Sequence, residues 1–433
     1  MFEKYFQIKA NGTTMKTEIL AGITTFLTMA YILAVHPNIL SVTGMDKGAL
    51  FTATAVASIV GTLAMSLLAK LPFAQAPGMG MNAFFAFTVC LGMGYSWQFA
   101  LTAILCEGLI FLVMNVLNIR AAIVNAIPNT LKNAISVGIG LFIAFLGLQS
   151  SGIVVKNDAT LVAIGDITQG TALLALIGLV ITSVLLIKKV KGALLLGIIA
   201  TAVIGIPMGI TKFTGIMDIP PSPAPLFFKF DFSQIFSWNM MIVVFTFLFV
   251  DVFDTVGTLI GVCAKANMLD ADGQIPNVKK AFYADAMGTL SGAIFGTSAV
   301  TTYVESASGV SEGGRTGMTS LVTAGCFALA ILFAPLFLSI PGAATAPVLI
   351  LVGLMMLEPV KDIDLEDFSE SIPAFICIIA MPLMYSIAQG IALGLLAFVL
   401  LNMLSGKGKY KKISIAMYIL AILFVMNYIF ISK

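Results

Sequence analysis

The chain has 433 residues, of which 59% are hydrophobic and 10% charged, with a mean hydropathy of +1.04 and a net charge of +2. A soluble protein of this length needs a charged surface, so the composition excludes one and points to a membrane protein whose spans each take about 20 apolar residues. The near-neutral charge gives no sign of a nucleic-acid partner. The five cysteines, Cys90, Cys106, Cys263, Cys326 and Cys377, lie in apolar runs spaced for neither zinc nor a disulfide framework.

The N-terminal stretch MFEKYFQIKANGTTMKTEIL mixes polar and apolar residues and carries no signal-peptide pattern. Apolar runs then predict spanning helices near 17–36, 50–70, 77–92, 97–118, 132–149, 170–187 and 193–210. A second series follows at 239–263, 282–296, 303–314, 317–338, 344–358, 371–386 and 388–404, and a further run at 413–431 is left unassigned. The polar connections 150–169, 212–238 and 264–281 are too short to hold a second folded domain. With the N-terminus in the cytoplasm, most Lys and Arg residues fall in inner loops, and only Lys47, Lys156, Lys212 and Lys229 fall outside.

Fourteen spans divide into two sets of seven, so the second set enters the membrane from the opposite side. The two segments interrupted by Gly, Pro, Ser or Thr, 77–92 and 303–314, hold the third position of each set. A matched pair of broken segments marks the binding site of many transporters.

Residues that carry chemistry cluster on these segments. Asp251 and Asp254 lie three apart, mid-run in the eighth span, where an ionisable group is costly and functional by default. Asp254 is the expected substrate contact, and Asp251 is expected to hold it in place. In the tenth segment, GTSAVTTYVESASGVSEGG, the alternation at Ser298, Val300 and Thr302 predicts an extended stretch over 298–303. Glu305 and Ser306 then open a half-helix, with Glu305 as a site carboxylate. Non-helical backbone at membrane depth survives only beside a cavity or inside protein.

In the third segment, LPFAQAPGMGMNAFFAFTV, Pro77 suits a first helical turn. Gly78 and Gly80 permit close backbone approach, Asn82 offers a donor and an acceptor, and Phe84 and Phe85 offer flat apolar surfaces. Asp285 is a candidate for coupling or for supporting the site helices. Glu107 is expected to make an internal structural bond, Glu312 to be a solvated carboxylate near Arg315, and His36 to be interfacial. The loop DADGQIPN lacks most ligands of a calcium loop. No catalytic set, metal spacing or nucleotide-binding motif is present, so neither an enzyme nor an ATP-driven pump is expected, and no cofactor.

The strings APGMGMNAFFAF, FVDVFDTVGTL, ADAMGTLSGAIFGTS and TTYVESASGVSEGGRTG resemble the AzgA-like purine permeases, a branch of the nucleobase–cation symporter group. The resemblance extends from GITTFLTMAYIL to MPLMYSIAQGIALG. It implies an all-α polytopic protein of about fourteen spans in two inverted seven-helix repeats, with short strands in the third and tenth. It implies core segments at 1–130 and 239–340, and gate segments at 131–212 and 341–433. Proton-coupled uptake of adenine, guanine or hypoxanthine at the cell membrane is the implied activity, with membrane lipid around the protein and a homodimer as a compatible assembly.

The substrate positions implied are Asn82, Asp254 and Glu305. Gly80, Phe84, Thr302 and Ser306 are expected around them, and Glu305, Asp285 and Asp251 are the candidates for proton coupling or support. The uracil and xanthine relatives usually carry Glu where this chain has Asp254, a shorter side chain that suits a larger base. Two other readings stay open: an anion carrier of the same architecture, and a cation channel.

Overall fold

The computed structural model describes residues 2–117, 128–265, 268, 277–406, 413–414, 417–418, 421–422 and 424–425. The run 413–431 and the loop DADGQIPN therefore lie largely outside the described residues. Each of the fourteen expected segments contains a helix. Seven described helices are long and apolar enough to cross a membrane, and five more apolar helices are shorter.

The first repeat opens with α1 (Phe2–Phe6), α2 (Met15–Met29), α3 (Ile32–Leu40) and α4 (Lys47–Ala64). Side-chain caps start the longer helices: Thr14 accepts from Thr17 N at 3.2 Å and Asp46 from Ala49 N at 2.7 Å. The chain then turns through β1 (Gln75–Pro77) into α5 (Met79–Ala83). A π-helical stretch over Phe84–Gly92 continues that helix before α6 (Trp97–Leu117). Next come α7 (Asn129–Ser150), an exposed hairpin of β2 (Val154–Asn157) and β3 (Leu161–Ile164), α8 (Gly170–Ile187) and α9 (Ala193–Gly205).

The second repeat follows the same plan. It runs through α10 (Trp238–Lys265), α11 (Val278–Phe295), β4 (Val300–Thr302), α12 (Ser306–Ser311), α13 (Gly317–Ala330), α14 (Ala334–Leu338), α15 (Gly342–Met355), α16 (Phe368–Leu383) and α17 (Ile387–Leu404).

By internal contacts the chain forms two compact units, Met1–Val116 with Gly147–Val348, and Leu117–Leu146 with Leu349–Lys433. In the second, α16 packs on α17, where Gly390 and Gly394 admit Met381 and Cys377. A Cβ at Gly394 would stand 2.5 Å from that of Cys377. Small residues replace the hydrophobic drive that lipid removes between helices.

The first unit is organised around β1 and β4, which pair antiparallel in the register Gln75↔Thr302, Ala76↔Thr301 and Pro77↔Val300. The ladder continues at both ends through Gly78 N to Ala299 O and Tyr303 N to Ala74 O, each 3.0 Å. Two strands alone leave their outer edges unpaired, and at this depth no bulk water pairs them. Threonines on the flanking helices do so instead. The Thr62 hydroxyl of α4 accepts from Gln75 N (3.0 Å) and donates to Gln75 O (3.1 Å). On the other strand Thr289 of α11 accepts from Val300 N (3.2 Å) and donates to Val300 O (3.0 Å). Thr289→Val is expected to cost about 2–4 kcal/mol, because it strands two buried backbone groups. A lowered denaturation midpoint in detergent checks this, and Thr289→Ser, which keeps the hydroxyl, should restore most of it.

Pro77 differs from its expected place in a helix: it is the last residue of β1, and α5 begins at Met79. Proline has no N–H to donate and a fixed φ, and the end of a two-stranded ladder tolerates both. Glu312 also differs, since it pairs with Lys191 at 2.7 Å while the Arg315 guanidinium donates to Val310 O and Gly314 O.

Candidate functional site

The strand crossing brings three groups of the expected residues together. The first is acidic. Asp254 lies mid-way along α10, and Glu305 follows β4 as the residue before α12. Glu305 Oε1 accepts from the Tyr31 hydroxyl at 2.7 Å, and its backbone carbonyl lies 3.5 Å from Thr28 Oγ1. Tyr303 donates to Pro77 O at 2.5 Å. Asp254, Glu305, Tyr31 and Tyr303 interact electrostatically as one set. Gly78 makes the approach possible: a Cβ there would stand 2.8 Å from Thr301 Cγ2 and 3.5 Å from Asp254 Oδ2.

The second group is a buried polar network. The Thr255 hydroxyl lies 3.0 Å from Asp285 Oδ2, 3.3 Å from Asp251 Oδ1 and 2.7 Å from the Thr301 hydroxyl. Gln75 donates to Asp285 Oδ1 at 3.2 Å and reaches Thr302 Oγ1 at 3.4 Å. The Thr255 hydroxyl, with one hydrogen to give, thus lies between Asp251 and Asp285 and also meets Thr301. Thr302 and Ser306 serve the crossing itself, Thr302 in the ladder and Ser306 by accepting from Ala74 N at 3.0 Å.

The third group surrounds Asn82 on α5. Asn82 is fully buried, and its Oδ1 accepts from the Ser298 hydroxyl. Its Nδ2 lies 3.5 Å from Pro77 O and 3.9 Å from Met79 Sδ. Next along the chain, Thr297 Oγ1 meets His36 Nε2 at 2.5 Å. Gly80 is buried one turn before Phe84, whose ring packs edge-on to Phe247 with centroids 4.8 Å apart.

The sequence reading misplaced one buried residue and passed over three others. His36, expected at the interface, is fully buried inside α3. Pro37 after it belongs to the helix and does not end it, so the sequence signal misplaced the boundary. Tyr31 and Tyr303 were embedded in apolar or small-residue runs, where a buried hydroxyl that needs a partner was the available signal. Gln75 was similarly legible as an amide within a proline–glycine turn. Glu107 is fully buried.

A further buried carboxylate braces the cytoplasm-facing end expected for α2. Glu18 accepts from Arg315 N (2.8 Å), Thr319 N (3.0 Å) and Thr319 Oγ1 (2.6 Å). It thereby caps α13 from another helix, where a negative charge is favoured by the exposed N–H groups.

Carboxylates beside aromatic hydroxyls, amides and phenyl faces form a chemistry for a flat, neutral solute with N–H groups. Residues 16–393 match the model of the Permease family, Xan_ur_permease. The chain belongs to this family of permeases.

The permease is 44% identical to the guanine/hypoxanthine permease PbuG of Bacillus subtilis, covering 99% of each chain. It is 40% identical to the adenine permease AdeP of Escherichia coli K12, over 100% of this chain and 97% of that one. In fold it resembles the transmembrane domain of the cyanobacterial bicarbonate transporter BicA, with a TM-score of 0.65 and 16% identity over 86% of this chain and 96% of that one. The permease is thus a multi-pass membrane protein with the inverted-repeat fold expected of it.

Proposed function

We propose that this permease takes up purine nucleobases, adenine, guanine or hypoxanthine, together with protons and by alternating access, with its N-terminus in the cytoplasm. The observation that carries this reading is the grouping of Asp254 and Glu305 with Tyr31 and Tyr303 at the strand crossing. A purine presents ring N–H groups to carboxylates and a flat apolar face to Phe84. Relatives named for adenine and for guanine/hypoxanthine support the substrate class. Asp254, Glu305 and Asn82 are its polar contacts in this reading, with Gly80, Phe84, Thr302 and Ser306 shaping the site. Asp251 and Asp285 support it from the network around Thr255.

The test is uptake of labelled adenine into proteoliposomes, in competition with guanine, hypoxanthine, xanthine and uracil. Purines should compete and be concentrated under an inward proton gradient, and uracil should compete weakly. Asn82→Ala is expected to weaken purine binding and reorder the competitors, because a site built to hydrogen-bond a group discriminates against analogues lacking it. An unchanged profile and affinity would reduce Asn82 to packing.

An anion carrier is the second reading, since BicA is named for bicarbonate and shares the fold. The acidic pair disfavours an anion by like-charge repulsion. Competition by bicarbonate, and none by purines, would reverse the choice. A channel would fail to concentrate any solute against a gradient.

A further inference from the structure

We propose that Lys191 and Glu312 form an ion-pair closure on the cytoplasmic side of the purine site, and that purine passes to the cytoplasm only when the pair separates. The inference rests on the purine reading above and on its orientation, in which α2 rises from the cytoplasm. A site reached from two sides in turn needs a closure on each. Such a closure must also open at little cost, because it breaks once in every cycle.

The short helix α12 sets the position of the acid. Glu305 stands directly before this helix and Glu312 directly after it. Residues seven apart return to the same face of a helix, about 10 Å along its axis. Glu312 therefore lies about two turns below the site carboxylate. Its backbone is fixed there. The Glu312 N–H bonds to Gly309 O at 3.1 Å, and Gly313 then turns the chain with a φ of +99°. The Gly313 carbonyl accepts from the Thr13 hydroxyl at 3.1 Å, just before α2. The nearest cation in sequence, Arg315, gives its guanidinium to Val310 O and Gly314 O. The partner comes from elsewhere.

Lys191 lies in the turn between α8 and α9. Gly192, which follows it with a φ of +72°, packs against α2: a Cβ there would stand 3.2 Å from Leu27 O. Leu27 adjoins Thr28, whose hydroxyl lies 3.5 Å from Glu305 O. The turn is thus pressed against the stretch of α2 that touches the site, and Lys191 Nζ reaches Glu312 Oε1 at 2.7 Å. The two side chains remain 57% and 34% exposed. An ion pair in contact with water biases an equilibrium without locking it, by about 1.5- to 5-fold. That is the strength a closure of this kind needs.

Two measurements on proteoliposomes test the pair. In the first, Lys191→Cys and Glu312→Cys are combined and joined by a bifunctional methanethiosulfonate. The joined protein should bind labelled adenine yet lose uptake at least about 10-fold, and dithiothreitol should restore it; each single cysteine variant, treated alike, should keep its uptake. Uptake at the untreated rate by fully joined protein overturns the proposal, and so does loss of adenine binding, which would mark a distorted site. In the second, half-saturation by adenine is measured from each face of the membrane. Lys191→Glu and Glu312→Lys should each change the ratio of the two values by about 1.5- to 5-fold, and the double exchange should return it to wild type. Equal weakening from both faces would mark a merely structural role and overturn the proposal, as would a double exchange that restores nothing. Absence of purine uptake by the wild type would instead overturn the functional reading on which the proposal rests.

Discussion

Asp254→Ala is expected to abolish purine binding while leaving the protein folded and inserted. The carboxylate belongs to a set with Glu305, Tyr31 and Tyr303, at the point where Gly78 lets β1 pass beside α10. A hydrogen bond to a charged group contributes roughly 1.5–3 kcal/mol, so losing one such bond weakens binding by about 10- to 150-fold. A purine bound through two N–H groups would lose more than an ordinary assay can follow. The fold does not depend on this residue in the same way, because the β1–β4 ladder closes through backbone groups, Thr62 and Thr289. Isothermal binding to detergent-purified protein separates the two effects when combined with a melting curve. Wild-type affinity in a well-folded variant would remove Asp254 from the site.

Glu305→Gln should separate binding from concentrative transport. Glutamine keeps the shape of a protonated carboxyl and can still accept from Tyr31, whose hydroxyl lies 2.7 Å from Oε1. It cannot release a proton. If Glu305 is the group through which proton and purine favour each other, the variant binds purine with a flat pH profile and equilibrates it without accumulation. Linkage requires this reciprocity, since a proton that strengthens substrate binding must itself bind more tightly when substrate is present. The readout is proteoliposome uptake with and without an inward proton gradient, beside binding at several pH values. Accumulation that still follows the gradient would move the coupling role to Asp251 or Asp285, which Thr255 already connects.

The parts of this architecture that were legible in the sequence are those written in local order. Fourteen apolar stretches each contain a helix. The extended reading of 298–303 appears as β4, and Glu305 stands where the half-helix begins. Alternation and helix-opening residues signal such features over a few positions. Partners separated by hundreds of residues leave no such mark. Nothing near His36 announces Thr297, and nothing near Glu18 announces Thr319. Pro77 illustrates a conflict of local rules: proline opens helices and also ends strands, and only the register with Val300 decides between them. Asn82 was found for its amide, yet its burial against Ser298 depends on the same crossing.

That crossing also constrains how the protein is made. More than 200 residues separate Pro77 from its partner Val300. At a synthesis rate of about 5–20 residues per second, roughly 10–45 seconds pass before the second strand is available. Throughout that interval the polar backbone of Gln75–Pro77 has no strand to pair with, and Thr62 can satisfy Gln75 alone. Until the carboxy-terminal half arrives, those backbone groups need water or protein beside them, because lipid offers no partner. Ribosomal pausing or truncation between the two strands would leave an inserted but unfinished half, a natural substrate for membrane quality-control proteases.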